Sequence, residues 1–141
     1  MMTEDYAINS QYFSNGLAGA ILCNEQKVMV VDDNPELRSI LNYGLDSYGF
    51  RMTLCENGAD AIKIAMHDEF DYIVTDYQMP LMNGIELTKK LRELSSRVII
   101  IGMSADDLGM DFLRAGANDF LQKPFVPYRL AMMIDGGDIL T

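Results

Sequence analysis

The segment Tyr72-Ile73-Val74-Thr75-Asp76-Tyr77-Gln78-Met79-Pro80-Leu81-Met82-Asn83-Gly84 decides how the chain folds. Its first four residues have strand character, a carboxylate follows them, and Pro, Asn and Gly make a turn at once. Three further apolar runs lead into polar chemistry in the same way. Val28-Met29-Val30-Val31 leads to Asp32-Asp33, Val98-Ile99-Ile100-Ile101 to Ser104, and the run Asp119 to Leu121 to Lys123-Pro124. Strands that are apolar throughout fit a parallel sheet covered on both faces.

Between these runs the period changes to that of helices. Asn34 is an N-cap, with Pro35 at the first helical position and Glu36 in the first turn. Leu37, Ile40, Leu41, Leu45 and Tyr48 form the expected apolar face, and Gly49 is placed to end the helix. A second strand spans Arg51 to Cys55. A helix after Asn57-Gly58 aligns Ala61 with Ala65 and Ile62 with Met66, and a third after Asn83-Gly84 carries Leu87, Leu91 and Leu94. A fourth helix is expected from near Asp106 to Gly116, and a last one from Pro127 to Ile134. Alternating units of this size predict an α/β fold, a doubly wound five-stranded parallel sheet of flavodoxin-like order 2-1-3-4-5. Residues 1–26 show no sustained period and read as an N-terminal arm on a domain over 27–141.

In such a sheet, the C-terminal strand ends open on one edge, where ligands bind. Strands 1 and 3 are neighbours there, so Asp32, Asp33 and Asp76 share a small volume. Two carboxylates about 4 Å apart repel by roughly 4 kcal/mol at an effective dielectric near 20. Such a cluster calls for a cation, and Mg²⁺ suits one or two carboxylates plus a phosphate.

Bulk properties bound the rest. A chain of 141 residues, 49% hydrophobic and 23% charged, is one globular domain by length and composition. Its net charge of −10 opposes a non-specific grip on nucleic acid or anionic lipid, and no basic DNA-binding domain is expected. No apolar run approaches the roughly 18 residues of a membrane span. The short apolar stretch Leu17 to Cys23 lacks a basic region before it, because no Lys or Arg precedes Lys27. A cytoplasmic location is expected. Cys23 and Cys55 are not in metal-like spacing, and Cys55 reads as a buried free thiol. With His67 as its one histidine, the chain holds no histidine-based metal site.

An acidic pair, a single Asp, a hydroxyl and a lysine at successive strand ends resemble the receiver domain of two-component response regulators, in a chemotaxis-regulator-like form. The resemblance runs from about Lys27 to Asp135. It implies that Asp76 accepts a phosphoryl group from a histidine kinase or histidine phosphotransfer protein, forming an acyl phosphate. It also implies Mg²⁺ held by Asp33, Asp76 and the backbone carbonyl of Gln78, with Asp32 reaching it through water. Lys123 and Ser104 would each serve a phosphoryl oxygen, and the bond from Lys123 to Pro124 would be cis. Phe120 stands at the switch position, where an aromatic ring fills the space that Ser104 leaves. The implied protein is a signalling switch, with no enzyme activity beyond its own phosphorylation and dephosphorylation. A downstream effector protein is its implied output, without direct nucleic-acid or membrane contact, and a homodimer could involve the arm.

The chain advances 19 positions from Ser104 to Lys123, fewer than receivers use. The fourth helix is therefore expected to be about one turn short, at roughly 3.6 residues per turn. Two other readings compete. A receiver-like interaction module would work without phosphorylation, but such modules lose the acidic pair or the lysine, and both are present. A Mg-dependent phosphatase with an aspartate nucleophile would carry a second Asp where Gln78 stands.

Overall fold

A computed structural model describes residues 25–135. The elements alternate as β1 (Lys27–Val31), α1 (Pro35–Asp46), β2 (Arg51–Cys55), α2 (Gly58–His67), β3 (Tyr72–Asp76), α3 (Gly84–Leu94), β4 (Ile99–Ser104), α4 (Gly109–Ala115), β5 (Asp119–Gln122) and α5 (Pro127–Ile134). The five strands are parallel, in the order β2-β1-β3-β4-β5. This is the expected doubly wound sheet. The arm assigned to residues 1–26 lies almost wholly outside the described residues.

Strand alternation divides the core into two layers. Met29, Val31, Ile73 and Ile100 face α2, α3 and α4, where they meet Ala61, Leu87, Leu91 and Phe112. Val28, Val30, Val74 and Ile101 face the other way, onto Leu41 and Leu45 of α1 and Leu130 and Ile134 of α5. Most of these side chains are fully buried, each worth about 1.5–3 kcal/mol over exposure. Both layers together cover the middle strands, which explains why β1, β3 and β4 are apolar along their length.

The helix ends follow local chemistry. The Asn34 side chain accepts from the Glu36 and Leu37 amides, and Pro35 occupies the first turn of α1. Asn83 and Glu86 form a reciprocal capping box at the start of α3. Gly116 ends α4 in the left-handed region at φ 117°.

Helix α1 ends at Asp46, before the expected Gly49, so Tyr48 lies past it in a turn, exposed and stacked on Phe50. Three residues placed on apolar helix faces by their spacing are exposed instead: Ile40, Met66 and Leu94. The sheet covers only a narrow stripe of each helix, so apolar positions at the margins of a 3.6-residue pattern reach solvent. The fourth helix also begins later than expected, at Gly109 rather than near Asp106. Asp106 is held in a turn, its amide donating to Ser104 Oγ at 3.0 Å and its carbonyl accepting from the Leu108 amide. Only seven residues remain for α4, about two turns.

Candidate functional site

Register carries four strand ends to one edge of the sheet. Val31 pairs with Thr75, Asp76 with Met103, and Ser104 with Gln122. Asp32 follows β1 directly, Asp76 ends β3, Ser104 ends β4, and Lys123 follows β5. Asp32, Asp33 and Asp76 each offer a carboxylate oxygen, and these three atoms lie within 4.8 Å of one another. Asp32 and Asp76 are buried and Asp33 is exposed. The Lys123 ammonium donates to Asp76 Oδ1 at 2.9 Å and to Asp32 Oδ2 at 3.1 Å.

The backbone around these groups is held on several sides. Asp32 Oδ1 accepts from the Asn34 amide at 2.9 Å, and the Asp32 carbonyl accepts from the Arg38 guanidinium at 2.6 Å. Thr75 Oγ1 donates to the Asp76 carbonyl at 2.9 Å. The same carbonyl oxygen lies so close to Gly84 that any Cβ there would overlap it. Gly84 therefore lets the loop after Asp76 fold back, and its amide donates to the Tyr77 carbonyl at 2.8 Å.

Burial pushes the Asp76 carboxyl above the ordinary carboxylate range; the hydrogen bond from Lys123 opposes this and the Asp32 charge adds to it. Burial alone would lower Lys123, but its hydrogen bond to Asp76 and the charges of Asp32 and Asp76 outweigh that and raise it. The two directions agree physically, because Lys123 meets two carboxylates while Asp76 meets one cation and one anion. Three carboxylates against one ammonium leave an excess of negative charge, which a divalent cation would balance. All three donors are hard carboxylate oxygens, a set that suits Mg²⁺ and does not suit soft metals.

The remaining expected site residues take distinct positions. Ser104 is buried; its Oγ accepts from the Asp106 amide and its carbonyl accepts from the Lys123 amide at 2.8 Å. Phe120, half-buried, stacks at a tilt on Phe112 with 5.7 Å between ring centres, and its ring lies against Gly109. Phe112 in turn meets the edge of Tyr77, the residue after Asp76, at 6.5 Å. Gln78 is exposed in the loop two residues beyond Asp76. The Lys123–Pro124 bond is cis, as expected. Arg38, Thr75 and the close approach of Gly84 were not singled out by residue pattern. Each acts on a backbone carbonyl, and such contacts leave no spacing signal.

Residues 28–135 match the response regulator receiver domain family. The transcriptional regulatory protein FixJ of Bradyrhizobium diazoefficiens is 35% identical over 111 residues, covering 77% of this chain and 54% of FixJ. The receiver domain of the sensor histidine kinase PA1611 from Pseudomonas aeruginosa PAO1 is 32% identical in sequence. It superposes with a TM-score of 0.70, covers 79% of this chain and 98% of that one, and has a magnesium ion coordinated in its active-site cleft. The receiver domain of Saccharomyces cerevisiae Ssk1, solved with the histidine phosphotransfer signaling protein Ypd1, has a TM-score of 0.73 and 27% identity. It covers 78% of this chain, which in turn covers 86% of it. The chain spans about half the length of the curated relatives it matches.

Proposed function

The chain belongs to the response regulator receiver domain family of two-component systems, and we propose that Asp76 is its phosphoacceptor, in a Mg²⁺-dependent switch fed by a phosphohistidine partner. The observation that carries this reading is the meeting of Asp32, Asp33, Asp76 and Lys123 at one sheet edge, from three separate strand ends.

An oxygen of Asp76 attacks the phosphorus of the donor. The P–N bond of the phosphohistidine breaks, and the imidazole leaves with the electron pair. An acyl phosphate on Asp76 remains. Lys123 already sits on Asp76 Oδ1 and would face an incoming phosphoryl oxygen, while Ser104 would donate its hydroxyl to another. Asp33, Asp76 and the Gln78 backbone carbonyl would hold Mg²⁺, with Asp32 bound through water. When bound, the ion neutralises charge on the phosphoryl oxygens. Phe120 would report the state of Ser104 to α4 and β5. Support for the metal comes from the donor set and from the magnesium-bound relative.

The phosphoryl source in this reading is a histidine kinase or a histidine phosphotransfer protein, and the output is a protein effector. A histidine phosphotransfer partner in the Ssk1 complex supports the first of these. Among the described residues no helix is long and apolar enough to cross a membrane; the reading places the switch in the cytoplasm. The domain is assigned to residues 27–141 and the arm to 1–26. The chain acts as a switch rather than a turnover enzyme, since Gln78 occupies the position of a phosphatase's second Asp.

The test uses Mg²⁺ and acetyl phosphate with intact-mass readout. The wild type should gain one phosphate, and Asp76→Asn none. Equal labelling of the two would end the assignment.

A further inference from the structure

At the sheet edge opposite Asp76, a groove of about 1170 Å³ opens between the C-terminal turns of α2 and α3. Its wall includes Gln26, and its lining mixes the charged Lys27, Asp68 and Arg97 with Phe70, Leu91 and Val98, which are nearly fully buried and form its apolar floor. Met66 and Leu94 stand on the two flanking helices and are 61% and 47% exposed. These are two of the residues whose helical spacing pointed to the core. They leave an apolar pair facing solvent on either side of one groove, which is more than the scattered single exposure that any surface tolerates.

The chain enters the sheet at this groove. Gln26 lines it, and β1 begins at the next residue, with the Lys27 amide donating to Asp71 Oδ2 at 2.8 Å. Immediately before lies Leu17-Ala18-Gly19-Ala20-Ile21-Leu22-Cys23, the longest apolar stretch ahead of the sheet. From Tyr6 to Asn24 there is no Asp, Glu, Lys or Arg, so nothing in this length resists removal from water as a charge would. Cys23 is three residues from Gln26, at most about 10 Å of extended chain.

We propose that the apolar segment Leu17–Cys23 of this same chain docks in the groove between Met66 and Leu94. The short tether favours this occupant over a second copy or a separate partner, because effective concentrations across short linkers reach the millimolar range. The groove lies at the end of the sheet away from Asp76, so the docked arm leaves the phosphoacceptor edge open. The proposal does not depend on phosphorylation and can fail while the proposed function holds.

Cys23 supplies the probe. In a Cys55→Ala background it is the chain's remaining thiol, and its reaction with Ellman's reagent reads its exposure. Docking predicts that Cys23 in the native chain reacts at least about tenfold more slowly than in the same chain unfolded in urea. Leu94→Asp should restore a rate near the unfolded one with circular dichroism unchanged. Leu17→Asp, which alters no residue of the sheet or its helices, should do the same. Protection should be equal at about 1 and about 100 µM protein, since an internal contact does not obey mass action between chains. A Cys23 that reacts at the unfolded rate overturns the proposal. So does protection that survives both substitutions, or protection lost on dilution, which would place a second copy in the groove.

Discussion

The Lys123 ammonium lies 2.9 Å from Asp76 Oδ1, across 47 positions of sequence, yet the carboxyl it pairs with is raised rather than lowered in pKa. Burial and the neighbouring Asp32 outweigh the ion pair. The site therefore holds a carboxylate that the fold does not favour in its charged form, which is a reason for it to bind a cation or be esterified.

The sign of that shift gives a stability prediction. A carboxyl raised in the folded state binds its proton more tightly there than in the unfolded chain. Its contribution to stability is greatest below the ordinary carboxylate range and declines as pH rises through the raised value. At pH 7 and without Mg²⁺, Asp76→Asn should thus melt at a higher temperature than wild type. The difference should shrink as pH falls toward about 4, where Asp carboxyls are half protonated. Adding Mg²⁺ should raise the wild-type midpoint more than that of the variant, by the equivalent of about 2.7 kcal/mol at a hundredfold excess over Kd. Scanning calorimetry at several pH values, with and without EDTA, reads both effects.

Ser104 and Phe120 give the second prediction. The Ser104 hydroxyl is engaged by the Asp106 amide at the entrance to the short α4, and Phe120 packs on Phe112 of that helix. If Ser104 moves toward a phosphoryl group, that turn is released and the aromatic pair is free to repack. Ser104→Ala should still bind beryllofluoride but should show smaller amide shift changes over residues 105–122 than wild type. A full wild-type shift pattern in the variant would remove Ser104 from the relay.

Arg92 is the chief polar fastening away from the site. Its guanidinium donates to the carbonyls of Gly116, Ser95 and Val98 and to Asn118 Oδ1, tying the end of α3 to the start of β4 and the end of α4. Arg92→Ala leaves the part-buried carbonyls of Gly116, Ser95 and Val98 without this donor, while the exposed Asn118 Oδ1 keeps the Ile100 amide. It should cost about 2–3 kcal/mol, seen as a lower urea midpoint at unchanged m-value. Arg92→Lys should recover only part of that, because one ammonium cannot span a fork of separate acceptors.

The site's outline is legible in the sequence because each of its groups ends a strand, and parallel strands bring their ends together regardless of loop details. Asp32, Asp76, Ser104 and Lys123 need only the strand order to meet. The hinge of the site is less legible. Arg38 reaches the Asp32 carbonyl, and Gly84 makes room for the Asp76 carbonyl, and both depend on backbone paths that no residue pattern records. Helix margins are misread for a related reason. Met66 and Leu94 keep the helical period, but the sheet is too narrow to cover them, so period alone overstates the core.

Leu81 offers a stabilising change beside the site. It is fully exposed and adopts φ 72°, a left-handed conformation that costs a residue with a Cβ roughly 1–2 kcal/mol. Leu81→Asn keeps a side chain that tolerates this region and loses no buried contact. It should raise stability by about 0.5–1 kcal/mol, measured by urea unfolding. Labelling by acetyl phosphate should be unaffected. A loss of stability would show that the left-handed backbone at Leu81 is not a source of strain.

Cys55 sits at the end of β2, 4% exposed, with its thiol pushed up from 9.0 to about 11, first by burial and then by the Asp60 charge, against a smaller lowering by Arg38. The unfolded chain loses this proton first as pH rises. Its contribution to stability is therefore intact below pH 9 and is lost progressively as pH approaches 11. Other groups titrate in the same range, so the comparison is with Cys55→Ala, which shares them all. That variant should be less stable at pH 8, because it leaves a small cavity in the core layer that Cys55 shares with Val31 and Ala61. Between pH 9 and 11 the wild type should lose stability faster, narrowing the gap. Urea midpoints at half-unit pH steps test this. Parallel lines for the two proteins would show that the thiol does not titrate differently in the folded state.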